Sequence, residues 1–180
     1  IDDDGDLDLF IGNYGGNTLF FRNTAAPGAT TPAYTREGGD EPFGIKGVGS
    51  DASPALADVD GDGDLDLFIG NFEGNTLFFR NTGSSTAPAF TQQEGTTPFW
   101  IPDVGRVAKP AFADADGDGD LDLFIGNYSG NTLFFRNTAA PFAPVNSTTA
   151  NGSYGIGEVI NLTVSFSEAV LVDTTSGTPT

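Results

Sequence analysis

Asp58 to Asn81 reads DVDGDGDLDLFIGNFEGNTLFFRN, and the 180-residue chain is built from repetitions of this stretch. Asp114 to Asn137 reads DADGDGDLDLFIGNYSGNTLFFRN, 56 residues later; Ile1 to Asn23 reads IDDDGDLDLFIGNYGGNTLFFRN, 58 residues earlier. The weaker halves match too. Pro42-Phe43-Gly44-Ile45 pairs with Pro98-Phe99-Trp100-Ile101, and Ser53-Pro54-Ala55-Leu56-Ala57-Asp58 with Lys109-Pro110-Ala111-Phe112-Ala113-Asp114. The whole period therefore repeats, which is the signature of stacked units that bury their apolar faces on one another.

Each period holds about four short strands. In the middle one, Pro54 to Asp58 leads into the acidic loop and Leu65 to Gly70 follows. A turn at Asn71-Phe72-Glu73-Gly74-Asn75 reverses the chain, its glycine free to take positive φ. Thr76 to Asn81 returns, and Ala89 to Gln92 is the outer strand. Leu67-Phe68-Ile69 and Leu77-Phe78-Phe79 are apolar on both faces, as a sheet covered on both sides requires. Blades of a β-propeller, each held between two neighbours, meet that requirement; a hairpin with one wet face does not. No stretch has sustained helical periodicity with caps. The expected fold is all-β, with blades of four antiparallel strands in an incomplete propeller.

The acidic loop has the form D-x-D-x-D-G-x-x-D. Carboxylates at alternate positions of a tightly curled, glycine-rich loop converge on one point, and calcium takes about 6–8 hard oxygens in a flexible shell. Side-chain ligation falls on Asp58, Asp60, Asp62 and Asp66, with Asp64 giving its backbone carbonyl. The same roles fall on Asp114, Asp116, Asp118 and Asp122, with Asp120 as the carbonyl donor. The first loop keeps Asp2, Asp4, Asp6 and Asp8 and lacks the opening ligand, as expected if the chain is a fragment that starts inside a motif. An EF-hand needs a carboxylate at loop position twelve, where this chain has Ile69 and Ile125, and it needs flanking helices. Magnesium prefers to keep more water than so many protein oxygens allow. A merely solvated Asp-Gly turn has no need of alternate spacing, and five carboxylates within nine residues repel one another unless something neutralises them.

Charge and composition narrow the functions. The formal charge is −18, from 25 acidic and 7 basic residues, and fifteen of the acids lie in the three loops. The other ten, set against the seven bases, leave only −3, so the charge is gathered where a cation would sit. Nucleic acid is an unsuitable partner, because its phosphates would be repelled. There is no cysteine, histidine or methionine. Thiol nucleophiles, histidine acid–base chemistry, Ser-His-Asp triads and ordinary zinc sites are thereby excluded. No apolar run is long enough to cross a bilayer as a helix.

The acidic loop followed by Leu-Asp-Leu-Phe-Ile-Gly-Asn resembles the FG-GAP/VCBS repeats of integrin α-subunit-like β-propellers. The longer form with NTLFFRNT is similar to repeats of large bacterial surface and secreted proteins. The resemblance covers residues 1–140. It implies four-stranded blades with calcium between the first and second strands of each. Those propellers usually have seven blades, whereas this chain holds two to three repeats, so neighbouring repeats are expected as partners. After Pro141 the composition shifts to Ser, Thr, Asn and Gly. Ile160, Leu162, Val164 and Phe166 alternate with polar residues as a half-buried strand does, and Ala169 to Val172 is a second strand. Residues 143–180 resemble the opening of a bacterial Ig-like or cadherin-like domain, cut short.

Tyr14, Phe72 and Tyr128 recur at the turn. They could line a sugar-binding rim, but packing between blades is preferred because aromatic rings bury so much area. Trp100, whose counterpart is Gly44, is likewise expected in an inter-repeat crevice. The sequons at Asn127, Asn146, Asn151 and Asn161 are incidental in so Asn- and Thr-rich a chain. The expected function is a calcium-braced extracellular adhesion or interaction module with a protein or glycan ligand, and not an enzyme. The alternatives are a propeller belonging to a secreted polysaccharide-active enzyme, with carboxylate catalysis, and a plain structural spacer.

Overall fold

A computed structural model of the chain describes residues 1–2, 4–26, 29–93 and 98–138, with short strands at 145–147 and 162–164. Two compact units result. One comprises Ile1–Ala115 and Leu121–Asn137, the other Asp116–Asp120 and Thr138–Thr180.

In the first unit each repeat forms its own antiparallel sheet. The first repeat supplies β1 (Leu9–Gly12), β2 (Thr18–Asn23) and β3 (Tyr34–Glu37), in that spatial order. The second supplies β4 (Ser53–Ala57), β5 (Asp66–Gly70), β6 (Thr76–Asn81) and β7 (Phe90–Gln92), again in sequence order. The third supplies β8 (Lys109–Ala113), β9 (Asp122–Gly126) and β10 (Thr132–Phe135). The only helical elements among the described residues are single 3-10 turns at Pro42–Gly44 and Pro98–Trp100. The all-β reading holds; the second repeat has the expected four strands, with ends displaced by at most one residue, and the first and third have three each among the described residues.

The two-faced apolar pattern is explained by packing. Strands β5 and β6 pair Leu67 with Phe79 and Phe68 with Phe78. Leu67, Ile69 and Phe79 form one buried cluster with Ile45, Val48 and Ala52 of the segment joining the first two repeats. Phe68 and Phe78 belong to a second, with Ile101, Val104 and Ala108 of the next joining segment and Leu123 and Ile125 of β9. The middle sheet is thus covered on both sides, each buried side chain contributing about 1.5–3 kcal/mol of transfer free energy. The equivalent outer faces, at Leu9 and Ile11 in the first repeat and Phe134 in the third, are partly exposed.

Backbone hydrogen bonds repeat along with the packing. Val48 N–H donates to Gly16 O at 3.0 Å and Val104 N–H to Gly74 O at 3.1 Å. Ala52 N–H donates to Asn13 O at 3.0 Å and Ala108 N–H to Asn71 O at 2.9 Å. The buried Asn71 side chain adds a bond from Nδ2 to Val48 O at 3.0 Å, and Asn127 does the same to Val104 O at 2.7 Å. So close a fit leaves no room at Gly12 or Gly70, where a Cβ would collide with the carbonyl oxygens of Ala52 and Ala108.

Of the second unit, the structure describes β11 (Val145–Ser147) paired antiparallel with β12 (Leu162–Val164). Strand β12 falls inside the stretch expected to be extended. The expected strand at Ala169 to Val172, and the Ig-like sandwich as a whole, lie outside the described residues.

Candidate metal-binding loops

The 58–66 loop runs from the end of β4 to the start of β5. Its curl is built from its own carboxylates. Asp58 accepts from Gly61 N–H through Oδ1 at 2.8 Å and from Gly63 N–H through Oδ2 at 3.0 Å. Asp60 Oδ1 accepts from Asp62 N–H at 3.3 Å, and Asp62 Oδ1 from Asp64 N–H at 3.0 Å. The bends need φ of +72° at Gly61 and +89° at Gly63, a region open to glycine at little cost. As a result Asp58, Asp60 and Asp62 offer carboxylate oxygens that lie within 4.8 Å of one another.

Asp66 sits differently. It opens β5 and is 1% exposed. Its Oδ1 accepts from Asn81 N–H at 2.7 Å, while Oδ2 is buried without a hydrogen-bond partner. Burial is the main reason its pKa is raised to about 6, helped by the charges of Asp60 and Asp62. The Asn81 amide opposes the shift, as does the Val59 amide, which makes no hydrogen bond of good geometry to Oδ2. A buried carboxylate is stable as an anion only when paired or coordinated. The donor set therefore fits a hard, oxygen-seeking cation: three clustered carboxylates beside a fourth with one unsatisfied buried oxygen. Neither Asp64 nor Asp66 belongs to the clustered trio itself.

The 114–122 loop repeats the trio and differs at its last aspartate, whose two oxygens are both hydrogen-bonded. Asp114, Asp116 and Asp118 form a group of the same kind. Asp118 Oδ1 accepts from Asp120 N–H at 2.9 Å. Asp122 is fully buried, its Oδ1 accepting from Asn137 N–H at 2.7 Å and its Oδ2 from Ala115 N–H at 3.1 Å. In the first loop, Asp4 Oδ1 accepts from Asp6 N–H at 2.9 Å and Asp8 Oδ1 from Asn23 N–H at 2.7 Å. Asp8 Oδ2 also takes a bond from the Ile1 amino group at 2.9 Å. Among the described residues Asp2, Asp4, Asp6 and Asp8 are not drawn into a trio.

Sequence reasoning overlooked an arginine. Arg80 projects from β6 to pair with Asp60 and lies 3.8 Å from Asp62 Oδ2. At the equivalent place Arg22 pairs with Asp2 and with Glu37 at 3.1 Å. The signal was present: Arg22, Arg80 and Arg136 are three of only seven basic residues, all at one repeat position.

The turn aromatics also differ from expectation. Tyr14 and Tyr128 are 79% and 73% exposed, so they do not wedge between blades. The Arg106 guanidinium instead lies over the Phe72 ring at 4.4 Å and the Tyr128 ring at 5.5 Å, linking two turns by cation–π contacts. Trp100 is 92% exposed rather than in a crevice. Positive φ at Phe99 (52°) and Trp100 (61°) lays the Phe99 ring against Phe78, centroids 4.9 Å apart, and leaves Trp100 outside.

Tandem antiparallel blades, each carrying an acidic loop at one fixed place, define a propeller-type repeat module. The chain belongs to the FG-GAP-like repeat family, whose model matches residues 1–69 and 58–125. Searches of curated proteins and of solved structures return no match. No helix among the described residues is long and apolar enough to cross a membrane.

Proposed function

We propose that the chain is a calcium-binding repeat module of an extracellular or cell-surface protein, in which the ion braces the scaffold and exposed loops engage a protein or glycan. The observation that carries this reading is the trio Asp58, Asp60 and Asp62 beside the unpartnered buried oxygen of Asp66. Those four side chains would hold the ion, with the Asp64 carbonyl completing the set, and the third loop would use Asp114, Asp116, Asp118, Asp120 and Asp122 likewise. Calcium supplies positive charge and a coordination shell; the role is structural, without a catalytic residue. An affinity suited to calcium-rich surroundings, Kd about 10⁻⁴–10⁻³ M, is enough for such a module.

Calorimetric titration of calcium into the chain tests this. Saturable binding that is weakened in Asp60→Ala, weakened in Asp116→Ala and lost when both are combined supports the reading; no heat of binding in the parent chain contradicts it. The adhesive part is tested by retention on immobilised polysaccharides in calcium and in chelator. Retention that requires calcium supports it, and none under either condition favours a plain spacer.

A further inference from the structure

Arg80 and a bound cation would compete for the same oxygens. The arginine stands on β6 immediately before Asn81, whose amide holds Asp66. From there it reaches back across the sheet end to Asp60 and Asp62, two members of the carboxylate trio. Its side chain is about half exposed, free to swing away into water. In the first repeat the equivalent Arg22 is shared, its Nε–H directed at Glu37 Oε1 and Oε2 at 3.1 and 3.2 Å. Strand pairing puts Arg36 opposite Phe21 and Gln92 opposite Phe79, so the position of Glu37 is taken in the second repeat by the neutral Gln93. Arg80 thus lacks the carboxylate at this position that draws Arg22 outward.

We propose that Arg80 is an internal counter-ion of the 58–66 loop, and that calcium must displace it from Asp60 to bind. This rests on the calcium reading given above. Without the ion, the guanidinium offsets repulsion among the carboxylates and keeps the loop curled. When the ion arrives, the half-exposed guanidinium swings into water, and at about 6 Å with water-like screening the repulsion between a divalent and a monovalent cation weakens binding by about tenfold. Arg80 therefore sets the affinity of this loop, trading tight binding for a loop that keeps its shape when calcium is scarce.

The test is a calcium titration by calorimetry at fixed ionic strength, in a chain whose third loop is silenced by Asp116→Asn and Asp118→Asn. Arg80→Gln is expected to bind calcium about tenfold more tightly than this parent, yet to unfold at a lower temperature in chelator. Arg80→Lys keeps the charge and is expected to stay near the parent in both. An arginine with a merely structural role would lower stability without raising affinity. Unchanged or weaker binding by Arg80→Gln, with a parent that binds, overturns the displacement and leaves the calcium reading intact. Absence of binding in both parent and Arg80→Gln overturns the calcium reading itself and displacement with it. The unmodified chain gives a second readout: the Arg80 Nε–Hε resonance should move on calcium saturation, and a resonance that stays in place contradicts displacement.

Discussion

Asp66 Oδ1 accepts the Asn81 amide proton at 2.7 Å, tying the last carboxylate of the acidic loop to the end of the strand that returns beside it. The same bond joins Asp8 to Asn23 and Asp122 to Asn137, each also at 2.7 Å. The loop's end is therefore part of the sheet, so an ion held by the loop would act on the blade as well.

Asp66→Asn keeps a carbonyl oxygen for Asn81 and removes the charge. In chelator this variant should melt at or above the wild-type temperature, since the buried anion is then poorly compensated. In calcium it should lose much of the wild-type gain. Asp66→Ala leaves the Asn81 amide unpaired and should cost about 1–3 kcal/mol in chelator. Thermal melts of both variants in the two media check this.

The pH response follows from the same group. Burial raises the pKa of Asp66 from the ordinary 3.8 to about 6 in the folded chain. Between those values the native state holds more of this proton than the unfolded state. Its contribution to stability is then fully present below about pH 4 and lost as pH rises through about 6. The difference in urea stability between wild type and Asp66→Asn should shift in that direction in chelator. In saturating calcium the bound ion favours the anion, so the slope should reverse.

Gly70→Ala probes the fit between blades. A Cβ at Gly70 would meet the Ala108 carbonyl, a backbone atom that cannot step aside without moving β8. A destabilisation of about 1–3 kcal/mol is expected, as for other overpacked sites. Gly126→Ala, with open space around the same repeat position, should cost much less. Equilibrium unfolding of the pair gives the comparison.

Two aromatic residues should separate scaffold from surface. Phe68 is almost fully buried in contact with Phe78 and Phe112, and Phe68→Ala should cost about 3–5 kcal/mol through the cavity it leaves. Trp100→Ala should change stability by no more than about 0.5 kcal/mol, as expected of an exposed side chain. Denaturant melts of the two variants decide it.

Local pattern made much of this legible. The double-sided apolar runs at Leu67-Phe68-Ile69 and Leu77-Phe78-Phe79 announced a sheet covered on both faces, and alternate aspartates announced a curled loop. Arg80 was not legible in the same way, because its meeting with Asp60, twenty residues away in sequence, depends on the register of β5 against β6. Trp100 was misplaced because the turn at Phe99 and Trp100 adopts positive φ, which residue type does not foretell. Ring size points the turn tyrosines between the blades, whereas Tyr14 and Tyr128 stand exposed at the turns.

The most direct test of the central claim is a thermal unfolding scan of the chain in chelator and in rising millimolar calcium, with magnesium as control. A midpoint that climbs with calcium, climbs little with magnesium and flattens in the Asp60→Ala, Asp116→Ala double variant is the predicted result, since a ligand bound only by the native state stabilises it by mass action. Superimposable melts in chelator and calcium would contradict the account.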